Sequence, residues 1–543
     1  MSNHRHPSAG DPAPDQPQRS RRRRARWLVA GVAGLTGVAG LVAVGAPTGV
    51  TGAFATSGGK LLNVGEQVLT GSSRAAGDDD GGHGSGGRDD KDHKGDDKDH
   101  KGDDKWSGGG DDVRDVPCGA NELIAALVRA NAGHGAKLKL AERCTYTLNA
   151  SAPQPPVPHG PIGLPIITQP VTIDGRGSTI VRAATATPFR ILEVGAGGDL
   201  KLRDVTIKGG EDTSGIGGGG GGIRIDIGGR ATLENIDVVF NHTNGSGGGI
   251  ANFGDTSILG RSDHDADKGR DDKGRDGKGR DDKGRDGKDG DKHGDDESRI
   301  SDNGSLFDGG GVYNNGNLTV RNARLSDNST IGVVNILPIG GTGGGLSNSS
   351  VAVLEDVRVH HNTAGFRGGG IRSGINATTT ARNIEVSENS TGSEGGGIFS
   401  DGVFHLEHSK ISRNNAGQRG GGIFNQIGRF VAEDVQISEN AASTNSTIEN
   451  GGGVFVGSGV VVLRRTQVVR NKAFGTNSRA GGIYNRGTVN LTESRVTDNI
   501  SVLAPGGIFN DGGQATVDEK SVVSGNRPTN CTPSAPPVAN CFG

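Results

Sequence analysis

The sequence predicts an all-β fold: a right-handed parallel β-helix solenoid of about twelve coils, with a short N-terminal cap helix and a disulfide-closed C-terminal cap. Three observations predict it. A Gly doublet followed by an aliphatic lead residue recurs ten times, ending at Ile223, Ile250, Val312, Leu346, Ile371, Ile398, Ile423, Val454, Ile483 and Ile508. Ten Asn keep step with these lead residues, Asn241, Asn303, Asn328, Asn362, Asn389, Asn414, Asn440, Asn471, Asn499 and Asn526, each with an aliphatic residue three positions before it. Between lead residue and Asn the residues alternate, as in Val357-Arg358-Val359 and Val489-Asn490-Leu491, which is the signature of short strands.

Most intervals between lead residues are 25 to 34 residues. A unit that short, with strands and no helical pattern, cannot form a crossover unit around a helix. It can form one turn of a coil stacked in parallel on the next, at about 4.8 Å per coil, so that twelve coils make a rod roughly 55–60 Å long. The lead aliphatics then point inward and build a column. The Gly doublets are expected to supply corner φ values closed to other residues. The ten Asn are expected to form a structural ladder at another corner, tolerating the left-handed conformation and bonding amide to amide. Asn241, Asn303, Asn328 and Asn389 lie in N-x-S/T sequons, and their place in the repeat predicts buried ladder residues rather than glycan acceptors.

Composition agrees. There are 99 Gly, 3 % aromatic residues and one Met, without the strict Gly period of collagen. A net charge of −3 implies no nucleic-acid partner. The four cysteines fall into two close pairs at opposite ends of the periodic region, so Cys118 is expected to bond to Cys144 and Cys531 to Cys541. Neither pair has zinc-type spacing, and no metal site or cofactor is expected.

Residues 1–55 are expected to be a signal peptide: an Arg-rich start through Arg26, an apolar stretch to about Val44 and an Ala53-Phe54-Ala55 cleavage signal. The alternative is a retained membrane anchor, and Ala25 and Arg26 argue against twin-arginine export. Residues 56–112 are expected to be a disordered Asp/Lys/Gly-rich linker, and 113–150 a cap whose helix spans Asn121 to Asn131 with Leu123, Ile124, Leu127 and Val128 as its apolar face and Gly133 as its stop. The β-helix is placed at 151–530 and the C-terminal cap at 531–543. Between Ile250 and Val312 the period is interrupted by residues 262–298, built on near-identical decads at 271–280 and 281–290; this tract and the linker are too polar to offset chain entropy. A calcium loop at Asp289 fails, because His293 and Ile300 stand where carboxylates are required.

The GG-aliphatic motif with its later aliphatic-x-x-Asn resembles the repeats of chlamydial polymorphic outer-membrane proteins, within the pectin-lyase-like right-handed β-helix superfamily. Cys118, Ala130-Asn131, Cys144-Thr145-Tyr146-Thr147-Leu148, Gly163-Leu164-Pro165 and Thr172-Ile173-Asp174-Gly175 resemble exported actinobacterial β-helix proteins. The resemblance spans about 113 to 543 and is specific for fold; the superfamily holds lyases, hydrolases, adhesins and surface proteins. No run of membrane strands follows the repeats, so autotransport through an outer membrane is not expected.

Enzymes of such folds need clustered carboxylates, with a basic Arg or Lys in lyases. No catalytic motif stands out. His134-Gly135 falls in the cap, His159-Gly160 in a Pro-rich loop, and His360-His361 at turn positions, while His405 and His408 flank a strand without obvious carboxylate partners. One functional candidate remains: Phe399, Phe424, Phe455, Tyr484 and Phe509 directly follow five consecutive lead residues, with Tyr313 further off. Residues after an inward position point outward. They form either an exposed strip able to engage sugar rings or a protein, or a column covered by the loops that follow each Asn. The expected role is a non-catalytic secreted or cell-surface β-helix for adhesion, wall association or structure. Its partner would be cell-wall glycan or a surface protein, with membrane contact only if the N-terminal segment is retained. The alternative is a lyase or glycoside hydrolase acting on uronic-acid polymers, which three or more carboxylates gathered with a Lys or Arg in one groove would favour.

Overall fold

The computed structural model describes residues 113–152, 159–215, 217–261, 297–332, 341–443 and 450–543. The expected signal segment, linker and residues 262–296 of the expected insertion lie outside these. Within them the chain is a parallel β-solenoid of about thirteen turns.

Each full turn repeats one path. A three-residue lead strand such as Ile423–Asn425 runs into a five-residue strand, Arg429–Glu433, then a three-residue strand, Gln436–Ser438. A short strand after the Asn, here Ala441–Ser443, completes the turn. The lead strands stack into an 11-stranded sheet, the strands after the Asn into a 10-stranded sheet, and the other two columns into one 23-stranded sheet. Register is one-to-one along the 11-stranded sheet: Ile398 pairs with Ile423, which pairs with Val454. Identical inward positions therefore align, and Ile371, Ile398, Ile423, Val454 and Ile483 are buried in one continuous core.

Two corner assignments need correction. The ladder Asn do not themselves turn left-handed. The residue before each does: Phe240, Asp302, Asp327, His361, Glu388, Arg413, Glu439, Arg470 and Asp498 have φ between 55° and 58°, and Gly525 has 67°. This strained residue swings the following Asn inward, where its amide is worth more. Likewise the doublet is glycine for space rather than for φ. A Cβ on Gly369 would lie 2.4 Å from the Gly396 carbonyl oxygen, and the positive φ belongs to Gly368 before it.

In the ladder, Asn440 Nδ2 donates to Asn471 Oδ1 at 3.0 Å and to the Ile411 carbonyl at 3.0 Å. Its Oδ1 accepts both the backbone N–H and the Nδ2 of Asn414. The pattern runs from Asn241, whose Oδ1 accepts the Gly210 N–H, to Asn526, which donates to Asn530 Oδ1 in the terminal cap. All ten Asn are buried, sequon positions included. A second, shorter ladder lies two residues after the lead positions, where Asn252 donates to Asn314 and Asn314 to Asn348.

The N-terminal helix is Ala120–Ala132, and its buried face is Leu123, Ala126, Leu127 and Ala130. Val128, expected on that face, is 52 % exposed. Asn131 fastens the helix end to the first coils through the Ile166 carbonyl and the Thr168 N–H. Cys118 is bonded to Cys144 and Cys531 to Cys541, with Cys531 and Val538 joining the core. The insertion ends earlier than expected. Ser298 begins the strand Ser298–Ser301, and Glu297 pairs with Arg358 at 2.6 Å and Arg324 at 3.4 Å. Across the gap Val238 still pairs with Ile300.

Asn440→Ala leaves two donors on Asn414 without their acceptor and takes one donor from the Ile411 carbonyl, and should cost about 1–3 kcal/mol. Replacing 262–296 by a short Gly/Ser linker should change stability by less than about 1 kcal/mol, because closure entropy grows slowly with loop length. Urea unfolding of both variants checks this; equal losses contradict the ladder's structural role.

Candidate functional site

The aromatic column is not a surface strip. Phe399 and Tyr484 are fully buried, Phe424 and Phe455 are 2 % exposed, and Phe509 is partly buried against them. The rings stack coil on coil at 5.3 Å (Phe399–Phe424), 4.9 Å (Phe424–Phe455) and 4.8 Å (Phe455–Tyr484). They do point away from the main core, yet outward is not exposed here. The turn at Gly395, with φ of 69°, and its counterparts fold the preceding residues back across the rings. Arg367 lies over Phe399 at 4.8 Å and Arg419 over Phe455 at 5.3 Å. Glu394 holds both guanidinium groups. Arg479 covers Phe509 in the same way. The rings are a second core under a lid of charge.

Open polar surface lies elsewhere, at the bend between the two strand columns of the 23-stranded sheet. Left-handed residues at this bend, including Asp204, Asn235, Asn322, Asp356, Asn383, His408, Asp434 and Arg465, turn the sheet and make it concave. Two grooves of about 960 and 860 Å³ follow it and share Arg261 and Glu297, so they meet end to end. Their charges are matched across coils. Arg261 meets Asp204 at 3.0 Å, Arg299 meets Asp237 at 3.0 Å, Lys410 meets Glu385 at 3.8 Å and Arg465 meets Asp434 at 2.8 Å. Hydrogen bonds from Arg465 hold the Asp434 carboxyl below its ordinary range, while burial raises that of Asp237 against the pull of Arg299.

His405 and His408, expected to lack carboxylates, have them, and so does His361 at its turn position. His405 Nε2 is 3.0 Å from Glu407, His408 Nε2 3.7 Å from Asp434 and His361 Nε2 2.7 Å from Glu388. His360 and His361 bond to each other through their Nδ1 atoms at 2.8 Å. These are surface pairings, His361 and His408 across adjacent coils and the rest within one; His408 lines a groove, and the others do not join it there.

One cluster escaped the sequence reading. The column that carries rings in later coils begins with Glu193 and Arg224, paired in register. Around them gather Arg190, Asp212, Asp226 and His159. Arg190 is fully buried; it donates to Glu193 Oε2 at 2.7 Å, to the carbonyls of Gly219, Gly220 and His159, and faces Asp212 at 3.5 Å. Asp212 also accepts the Thr243 hydroxyl at 2.8 Å. Arg224 Nε donates to Asp226 Oδ1 at 2.6 Å, with its guanidinium over the Phe253 ring. Burial pushes the Glu193 carboxyl up and the His159 imidazole down, the latter helped by Arg224. Three carboxylates thus meet two guanidinium groups, but the set is mostly buried under the 159–164 segment. It clamps that segment rather than lining the open groove.

Fold and groove together define a parallel β-solenoid with a long polar channel on one bend. No family model matches the chain, and no curated protein matches it. Among solved structures, the A-module of the mannuronan C-5 epimerase AlgE6 from Azotobacter vinelandii is similar at 13 % identity, covering 74 % of this chain and 96 % of that module, with a TM-score of 0.38.

Proposed function

We propose that this chain is an exported, non-catalytic β-helix that binds an extended neutral glycan along its polar groove, serving wall association or adhesion. The observation that carries the proposal is the pair of end-to-end grooves, whose linings among the described residues have matched charges and no Phe, Tyr or Trp. Paired charges and amides offer hydrogen bonds to hydroxyl groups with little net field, which suits an uncharged polymer better than a uronate. Glycosidic cleavage needs a carboxyl kept protonated opposite a second carboxylate. Here Asp434, Glu385 and Asp204 each face a cation instead, and Asp237, whose carboxyl burial raises, faces Arg299. Two disulfides favour an oxidising compartment. So do the signal-like N-terminus and the resemblance of the repeats to pectin-lyase-like, chlamydial and exported actinobacterial ones; the proposed location is secreted or cell-surface.

Co-sedimentation with insoluble neutral wall polysaccharides tests this. The triple variant Lys410→Ala, Gln436→Ala, Gln467→Ala removes outward groove side chains at little cost in stability, since surface substitutions usually stay within about 0.5 kcal/mol. It should bind at least about tenfold more weakly, which corresponds to about 1.4 kcal/mol. Release of reducing ends or unsaturated products from any of these polymers, or from uronic polymers with calcium, would replace binding by catalysis.

A further inference from the structure

The 159–226 cluster leaves two polar atoms in opposite need. His159 Nδ1 is buried without a hydrogen-bond partner, and so is Nη1 of Arg224, whose side chain is 6 % exposed. Around His159 Nδ1 stand the two carboxylate oxygens that the arginines do not use. Glu193 Oε1 is at 3.7 Å and Asp226 Oδ2 at 3.6 Å. Both separations are too long for a hydrogen bond, and the two carboxyl groups also adjoin each other. One ligand atom from each of the three residues lies within 4.8 Å of the other two, and the point equidistant from such a triangle is about 2.0–2.4 Å from each corner, the range of metal–nitrogen and metal–oxygen bonds.

We propose that His159 Nδ1, Glu193 Oε1 and Asp226 Oδ2 bind a divalent cation of the zinc or manganese kind, with an oxygen ligand of that cation accepting from Arg224 Nη1. Charge supports it. Glu193, Asp212 and Asp226 against Arg190 and Arg224 leave one net negative charge with a neutral imidazole, and a dication with an anionic oxygen ligand brings the sum to zero. An imidazole ligand selects against calcium and magnesium, which prefer all-oxygen shells. The oxygens are already oriented from outside: Arg190 holds Glu193 through Oε2 and Arg224 holds Asp226 through Oδ1, the supporting shell that metal ligands require. The orphan Arg224 nitrogen is an independent sign. A bare cation site would have no use for a buried, unpaired donor, whereas a metal-bound oxygen gives it a partner. Since His159 opens the segment over the 11-stranded sheet, the cation would staple that segment to the coils carrying Glu193 and Asp226. This inference does not rest on the groove.

The test uses the full, tag-free chain stripped with chelator. Its Asp/His-rich tracts at 89–102 and 262–296 add weak sites, so the readout is a difference between variants. Zn²⁺ by chromophoric-chelator competition and Mn²⁺ by electron paramagnetic resonance should show one tight equivalent in the wild type. Asp226→Asn, which preserves shape, and His159→Ala should each weaken that equivalent by about tenfold or more, while His405→Ala leaves it unchanged. Zn²⁺ should also raise the melting temperature of the wild type and of His405→Ala but not of the two site variants. Absence of a tight equivalent, or its survival in both site variants with folded spectra, overturns the proposal; the cluster is then a proton-sharing ion network.

Discussion

Phe424→Ala should lower the unfolding free energy by about 3–5 kcal/mol, and Tyr484→Ala by a similar amount, as for rings lost from a core. Phe424 is sandwiched at 5.3 and 4.9 Å between Phe399 and Phe455, with planes within 6° of parallel. Its removal therefore opens a cavity bounded by two rings that β-sheet register holds in place, so collapse is hindered. Tyr484 adds a hydrogen bond from its hydroxyl to Asp511 Oδ2 at 2.8 Å. The covering arginines suffer too, because a guanidinium stacked on a ring face loses its partner. In a solenoid each coil touches only its neighbours, so the loss should appear as early opening of the coils from about Ile398 onward, read by hydrogen exchange, with the N-terminal coils still protected. Glycan co-sedimentation of Phe424→Ala should match wild type at temperatures where it stays folded. A small stability loss with impaired binding would restore the exposed-strip reading.

The aliphatic, Asn and aromatic columns were legible because the same residue type recurs once per coil, and parallel stacking multiplies one local preference by ten. Side-chain direction was legible too: the rings after Ile398 and Ile423 do leave the main core. What covers them was not. The lid comes from Arg367, Glu394 and Arg419, each beside a positive-φ glycine, and a residue preceding Gly-Gly-Gly carries no signal that it will help cover a ring of the next coil. The αL residues before the ladder were invisible for another reason. They are Asp, Glu, Arg, His, Phe and Gly, so position and not residue type selects the conformation, and the ladder hydrogen bonds offset the roughly 1–2 kcal/mol that left-handed backbone costs. The charge cluster was hidden because its six members fall once each between His159 and Asp226, without repetition. Asp212 and Asp226 look like ordinary surface carboxylates until adjacent coils bring them to Arg190 and Arg224. In the sequence His159-Gly160 is only part of a Pro-rich loop, and that loop is what the cluster holds.

Arg190→Met should be the most destabilising single change in the N-terminal coils, at about 3–5 kcal/mol, because it leaves buried carboxylates without their counter-charge. Glu193 and Asp212 are 2 % exposed and would have to take up protons or admit water, and the carbonyls of Gly219, Gly220 and His159 would lose their donor. Arg190→Lys should recover little of this, since one ammonium cannot reproduce a planar fork reaching four acceptors. The informative comparison is the triple variant Arg190→Met, Glu193→Gln, Asp212→Asn. If the cost of Arg190→Met is mainly uncompensated charge, neutralising both carboxylates should return about half of it, giving a coupling of roughly 1–3 kcal/mol in a mutant cycle. Acid should act the same way on the single variant. Burial already raises the Glu193 carboxyl, and Arg190 is what pulls it down. Without that pull its folded pKa rises further above the unfolded one, so the folded state binds more protons, and lowering the pH from neutrality toward the carboxylate range should narrow the gap to wild type. Denaturation of the three proteins at neutral and mildly acidic pH decides it. A loss that neither the neutralising substitutions nor acid relieves would mean that Arg190 acts through its carbonyl contacts and packing, not through charge.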